Sequence, residues 1–397
     1  MPTLRNEFLQ HLAQTSDAPM LLEIIKADGV HLFDVDGKKY MDLISGISVS
    51  NVGHHHPKVV EAIKKQVDDY MHLMVYGEYI QSPQVLLAKR LSELLPANLD
   101  SVYFVNSGSE AIEGAMKLAK RFTGRPHLVS FVDAYHGSTQ GALSIGGNED
   151  LKNAFRPLIP GVKHIRFNDI DDLSVIDEHT ACVFAETIQG EAGVIVPEKD
   201  FLIALRNRCN ETGALLVLDE IQTGFGRTGS LFAFSHYSIV PDILCIAKGM
   251  GGGLPIGAFI SSKEIISSLM SNPVLGHITT FGGNPVCCAA SLAVLDVLIE
   301  ENLMEHVAAK EQQFRQLLQH KAIKQISGKG LLLALEFETE DFNKKVIQEC
   351  IIQGVIVDWF LFSGNKMRIA PPLIISEGEI SHACKIILNA IDAVINS

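Results

Sequence analysis

Ile243-Leu-Cys-Ile-Ala-Lys-Gly-Met-Gly-Gly-Gly253, continued by Leu254-Pro-Ile-Gly-Ala-Phe-Ile-Ser261, decides how the remaining sequence is read. The apolar run ahead of Lys248 has the composition of a buried strand, and the glycines after it end that strand where backbone can crowd a ligand. Lys248 therefore stands at a strand end and not on a solvated helix face. An amine held there and partly desolvated has a lowered pKa and can attack a carbonyl. Most lysines only solvate a surface, so the meaning of this one depends on what surrounds it.

On both sides of that stretch, short apolar runs alternate with amphipathic helical patterns. Val102–Val105 leads through Asn106-Ser-Gly-Ser109 into a helix spaced over Glu110–Arg121, and His127–Val132, Cys182–Glu186, Leu215–Asp219 and Ala258–Ser261 follow. Runs apolar on both faces belong in a parallel sheet covered by helices, with functional residues beyond the strand ends. Ahead of this α/β body, Asp36-Gly37 between alternating runs predicts a hairpin. Gly53-His-His-His-Pro57 reads as a turn before a helix over 58–70, because three adjacent imidazoles cannot all face one metal ion; no metal is expected. After it comes a helical run from Val286 to Ala309 and onward, with Cys287 and Cys288 in its Ala-rich part. Strand-like pieces at Leu331–Phe337 and Met367–Ala370 and a closing helix complete a smaller α+β unit. The expected division is an N-terminal segment, 1–50, packing with the small domain, a large domain over 51–290 and a small domain over 291–397.

Composition narrows the class. In 397 residues no run approaches the roughly 18 apolar residues of a membrane span, and the start lacks a basic-then-apolar signal pattern. A cytoplasmic enzyme is the expectation, with no membrane partner. A net charge of −13 argues against nucleic acid. Seven cysteines without a CxxC pair read as reduced thiols.

Three strand ends then carry complementary chemistry. Asn106-Ser-Gly-Ser-Glu110 offers hydroxyls, a close-approach glycine and the free N–H groups of a helix start, suited to phosphate; a plain helix cap explains the same residues. Asp219 closes the run Leu215–Leu218, where a carboxylate needs a cation or strong donor, such as a protonated heterocyclic nitrogen. Lys248 supplies the amine. Together they make the set required by pyridoxal 5′-phosphate (PLP): a phosphate anchor, an acid that keeps the pyridine nitrogen protonated, and an amine for the Schiff base.

Asp219-Glu-Ile-Gln-Thr-Gly-Phe-Gly-Arg-Thr-Gly229 and Ala247-Lys-Gly-Met-Gly-Gly-Gly-Leu-Pro-Ile-Gly-Ala258 closely resemble signatures of class III aminotransferases. These are the PLP enzymes of fold type I of the ornithine, acetylornithine, 4-aminobutyrate and diaminopelargonate type. The similarity extends through Val105–Ala111, Ala134–Gly137, Ile188–Gly193, Thr280–Pro285 and Arg368–Leu373. It implies a large domain with a mainly parallel seven-stranded sheet beside a smaller α+β domain. It implies transfer of an amino group from an amino acid or ω-amine to an α-keto acid through pyridoxamine phosphate. Lys248 would bind the cofactor and shuttle the proton, Asp219 would pair with the pyridine nitrogen, and Gln222 would reach the 3′-oxygen. Ser107, Gly108 and Ser109 would hold the phosphate, and Tyr135 would stack on the ring. Thr280 would reach the phosphate from the neighbouring subunit of a homodimer. Arg368 would grip the substrate carboxylate, and Glu191 would pair with Arg368 when the donor carries none there.

The sequence also departs from the pattern. Where the ornithine, acetylornithine and 4-aminobutyrate enzymes usually continue Gly-Arg-Thr, this chain has Ser138, which removes a cation that commonly binds a second carboxylate. Pyruvate as acceptor, or another basic residue filling in, is left open. Tyr76 and Tyr79 either line the substrate mouth or pack at the surface or an interface. The same residues would serve a PLP decarboxylase of the 2,2-dialkylglycine type or an aminomutase of the glutamate-semialdehyde type. A nucleotide-binding α/β protein is the remote alternative, since Gly249–Gly253 is neither a Walker A loop nor a GxGxxG opening a helix.

Overall fold

The computed structural model describes residues 3–198 and 200–396. Its centre is a sheet of seven strands: β1 (Ser101–Val105), β2 (His127–Phe131), β3 (Val162–Ile165), β4 (Thr180–Glu186), β5 (Leu215–Asp219), β6 (Ile243–Ile246) and β7 (Gly257–Ser261). They lie in the order β1-β7-β6-β5-β4-β2-β3, and β7 alone runs against its neighbours. Side chains of successive residues leave opposite faces of a strand, so the sheet is a septum between two cores. On β5, Leu216 and Leu218 join one core while Leu215 and Val217 join the other. That two-sided burial is why the strands read as continuous apolar runs. β3 sits at the edge with three of its four residues half-buried, so its sequence, Val-Lys-His-Ile, lacks the apolar run that marks the others.

The Gly108–Thr123 helix starts where β1 ends. Ser107 caps it by accepting from Glu110 N–H (3.2 Å), and Gly124, at φ +67°, closes it in the left-handed region. It packs so closely on β7 that a Cβ at Gly114 would run into the Phe259 ring. Gly114→Ala is therefore expected to lower stability by about 1–3 kcal/mol through overpacking, in spite of alanine's better helix propensity. A urea midpoint at or above wild type would refute that account.

The helical pattern from Val286 onward is not one helix. It runs over Pro285–Glu300, breaks at Asn302 (φ +51°), and resumes at Val307–Leu317 after a short 3-10 turn. Asn tolerates the left-handed conformation, and periodicity alone does not register that turn. A four-stranded antiparallel sheet follows, ordered β8 (Gln325–Lys329), β9 (Leu332–Glu336), β11 (Ser363–Ile369), β10 (Asp358–Phe360). The early hairpin forms as its Asp-Gly turn predicts, pairing His31–Asp34 with Lys39–Asp42. The second of these strands also pairs in parallel with Val355–Ile356, which joins the two ends of the chain.

Candidate active site

The polar side chains with chemistry to offer are placed by the carboxyl ends of strands. Ser107–Ser109 follow β1, Tyr135 and His136 follow β2, Glu186 ends β4, Asp219 ends β5 and Lys248 follows β6. They border one cavity of about 420 Å³, which Gln222 also lines. Lys248 opens a short turn with φ +46°, a left-handed backbone that costs a non-glycine residue about 1–2 kcal/mol. Beneath it Gly249 lies against Asn51, whose amide donates to Phe225 O (2.8 Å). The lysine is half-buried, and desolvation lowers its pKa; Arg368 adds to this while Glu191, Asp219 and Glu186 oppose it.

Asp219 is 5 % exposed and firmly oriented. Its Oδ1 accepts from Ile221 N–H (2.9 Å), and its Oδ2 lies 2.8 Å from His136 Nδ1. Burial disfavours a charged His136, but the Asp219 carboxylate, with Glu186 beyond it, raises the imidazole pKa above its ordinary value. Glu186 accepts from Tyr135 N–H (3.3 Å) and Gly190 N–H (3.0 Å), and burial pushes its pKa up to about 7. Gln222 leaves Nε2 buried without a partner among the described residues.

A second cavity, about 570 Å³, adjoins the first across Tyr135 and Lys248. Arg368 and Glu191 line it, 2 % and 4 % exposed, with Glu191 Oε2 accepting from Arg368 Nη2 at 2.8 Å. Leu361 N–H also donates to Glu191 Oε2 (3.1 Å). Ser138 borders a third hollow, of about 210 Å³, with its hydroxyl 3.2 Å from Tyr135 OH. The cation bordering that hollow is the buried Lys152, which donates to Gly146 O (2.8 Å) and pairs with Glu149 (2.9 Å).

The expected residues thus fall around two joined cavities, with one exception. Thr280 is exposed and lines neither of them. Tyr76 and Tyr79 line neither cavity as well; Tyr79 is exposed, and Tyr76 lines a separate hollow with Thr279. Sequence reasoning assigned no part to His136, Glu186 or Asp358. His136 sits one residue after Tyr135, where an alternation of directions is a usable signal, whereas Glu186 and Asp358 become visible only through contacts remote in sequence.

The family model for class-III aminotransferases matches residues 12–391. An acetylornithine aminotransferase of Methanopyrus kandleri is 39% identical over 386 residues, 96% of this chain and 97% of the relative. A putrescine aminotransferase of Pectobacterium atrosepticum is 39% identical over 372 residues, 89% of this chain and 79% of the relative. An ornithine aminotransferase structure from Toxoplasma gondii, described with PLP at its active site, superposes with a TM-score of 0.91 at 31% identity, covering 98% of this chain and 93% of that one. The chain belongs to the class-III aminotransferases, PLP-dependent transferases of fold type I that move an amino group between a donor and a keto acid.

Proposed function

We propose that one substrate site serves both halves of the reaction, taking an amino acid or ω-amine as donor and an α-keto acid as acceptor. The observation that carries this reading is the buried Arg368–Glu191 pair facing Lys248 across a shared cavity. With Glu191 on Arg368, the pocket presents no free cation to a donor that lacks a carboxylate. With Glu191 turned away, the guanidinium can take a carboxylate edge-on.

The residues fit PLP. The helix start at Ser107–Ser109 offers N–H groups to a phosphate, the orphaned Gln222 Nε2 can donate to the 3′-oxygen, and Asp219 is a fixed carboxylate for a ring N–H. When bound, PLP supplies a carbonyl carbon that condenses with amines and a ring that accepts electrons from the adjacent carbon. Lys248 carries the catalytic work of the chain. Its lowered pKa leaves more of Nζ unprotonated, so Nζ can take a proton from the substrate carbon and return it one position along. His136 orients the Asp219 carboxylate and keeps its charge local to the ring position. Tyr135 forms a flat wall over the same space.

A homodimer belongs to this proposal, with Thr280 contributed across the interface. In support, Thr280 lies among exposed apolar residues, Val274, Leu275, Ile278 and Phe281, and the Phe281 ring, tilted at 45°, lies 4.9 Å from His72 of a loop that also exposes Met71 and Ile80. An apolar surface of this kind marks an interface. Among the described residues no helix is long and apolar enough to cross a membrane, and we place the enzyme in the cytoplasm.

Steady-state kinetics of Arg368→Ala test the central reading. The KM for keto acid is expected to rise about a hundred-fold, since losing one partner of a desolvated charged pair costs about 2–5 kcal/mol. The KM for a terminal amine should change far less. An unchanged keto acid KM would assign the carboxylate to another residue.

A further inference from the structure

Arg368 serves two carboxylates, and only Glu191 has a part in the exchange described above. Asp358 Oδ1 stands 3.3 Å from Arg368 Nε, without the alignment of a hydrogen bond. The two residues are directly opposed in the antiparallel pairing of β10 and β11, so their side chains leave the same face. The guanidinium lies over the Phe360 ring at 4.5 Å, and Trp359 O accepts from Nη2 at 3.3 Å. Asp358 also lines the substrate cavity.

Carboxylates bind guanidinium best edge-on, through two parallel hydrogen bonds. On Arg368 the Nη2 end is taken by Glu191 and the Nε end is shadowed by Asp358. An incoming keto acid would put three carboxylates on one buried cation. Glu191 lies on a loop and can turn away, but Asp358 is fixed in a strand. The charge that cannot leave is neutralised by a proton.

We propose that Asp358 is a specificity-determining residue of the substrate site: its carboxylate competes with the keto acid for Arg368 and yields by taking up a proton. This rests on the reading of Arg368 as the keto acid anchor. The surroundings favour the proton. Burial raises the Asp358 pKa to about 7, Arg368 opposes this, and Glu191 and Asp42 add to it. Asp42 faces it from the Lys39–Asp42 strand, where His54 Nε2 lies 2.8 Å from its Oδ2. Lys344, on the Glu340–Ile352 helix, lies over the Trp359 ring, and Lys248 lies across the cavity. Protonated Asp358 competes less, so keto acid binding is strongest at low pH and weakens as pH rises through the transition.

The test uses the enzyme loaded with pyridoxamine 5′-phosphate and mixed with pyruvate or 2-oxoglutarate, with the cofactor absorbance followed in single turnovers. For wild type, the half-saturating keto acid concentration is expected to rise about ten-fold between about pH 6 and about pH 8.5, the linkage of one proton. Asp358→Asn should flatten that slope and bind about ten-fold more tightly at the upper end. A flat wild-type profile overturns the proposal without recourse to any variant. A D358N slope equal to wild type, while Arg368→Ala weakens the keto acid, overturns the role of Asp358 and leaves the anchor standing. An R368A enzyme with unchanged keto acid binding overturns both.

Discussion

Lys248→Ala is expected to reduce turnover by at least about 10³-fold, because one change removes both the covalent attachment and a proton carrier that alone contributes about 10²–10⁴-fold. Borohydride treatment of wild-type holoenzyme should fix the cofactor's mass on the tryptic peptide that contains Lys248, and the variant should give no such adduct. The fold should persist. Alanine at φ +46° meets the same left-handed backbone that lysine already accepts, and the ammonium it removes is one whose charged form the site disfavours. Cofactor-free variant should therefore melt no lower than cofactor-free wild type. Wild-type turnover in the variant would sink the assignment of Lys248, whatever the adduct.

The largest expected loss of stability lies at Arg227→Ala. Arg227 is fully buried and its guanidinium donates to Leu331 O at 3.0 Å, to Pro371 O and to Asn51 Oδ1. Those acceptors come from three distant parts of the chain, and truncation strands all of them at about 1–3 kcal/mol each, for a total of at least about 3 kcal/mol. Lysine should not rescue it, since a single ammonium on a flexible stem cannot reproduce a planar fork. The urea midpoint of the cofactor-free protein is the measurement, and a midpoint within error of wild type would show that Arg227 is not the tie described. Activity should fall with it, because Asn51 supports the backbone under the Lys248 turn.

Much of this is legible in the sequence. Runs such as Leu215–Asp219 declare a strand buried on both faces, and the polar residue ending each run marks where chemistry can sit. That rule alone singles out Asp219 and Lys248 as candidates. β3 escapes it because an edge strand can carry the half-buried polar residues Lys163 and His164. The early hairpin was found from its turn, yet the partner of its second strand was not, since two residues at Val355–Ile356 leave no periodic signal. Asp358 escaped for a different reason. It is one acid in a short strand, and its importance lies in facing Arg368 across a pairing that no local pattern encodes.

That late pairing bears on how the enzyme is made. Met41 waits for Val355, about three hundred residues downstream, and at the roughly 5–20 residues per second of synthesis this is a delay of tens of seconds on the ribosome. The segment that follows Met41 carries Asp42, Ile44 and Ile47, and the last two line the substrate cavity. The central sheet, complete by Ser261, can assemble first and present a cofactor cradle while the substrate wall is still open. A nascent chain stalled short of Val355 would therefore have the parts to bind cofactor before it can choose a substrate.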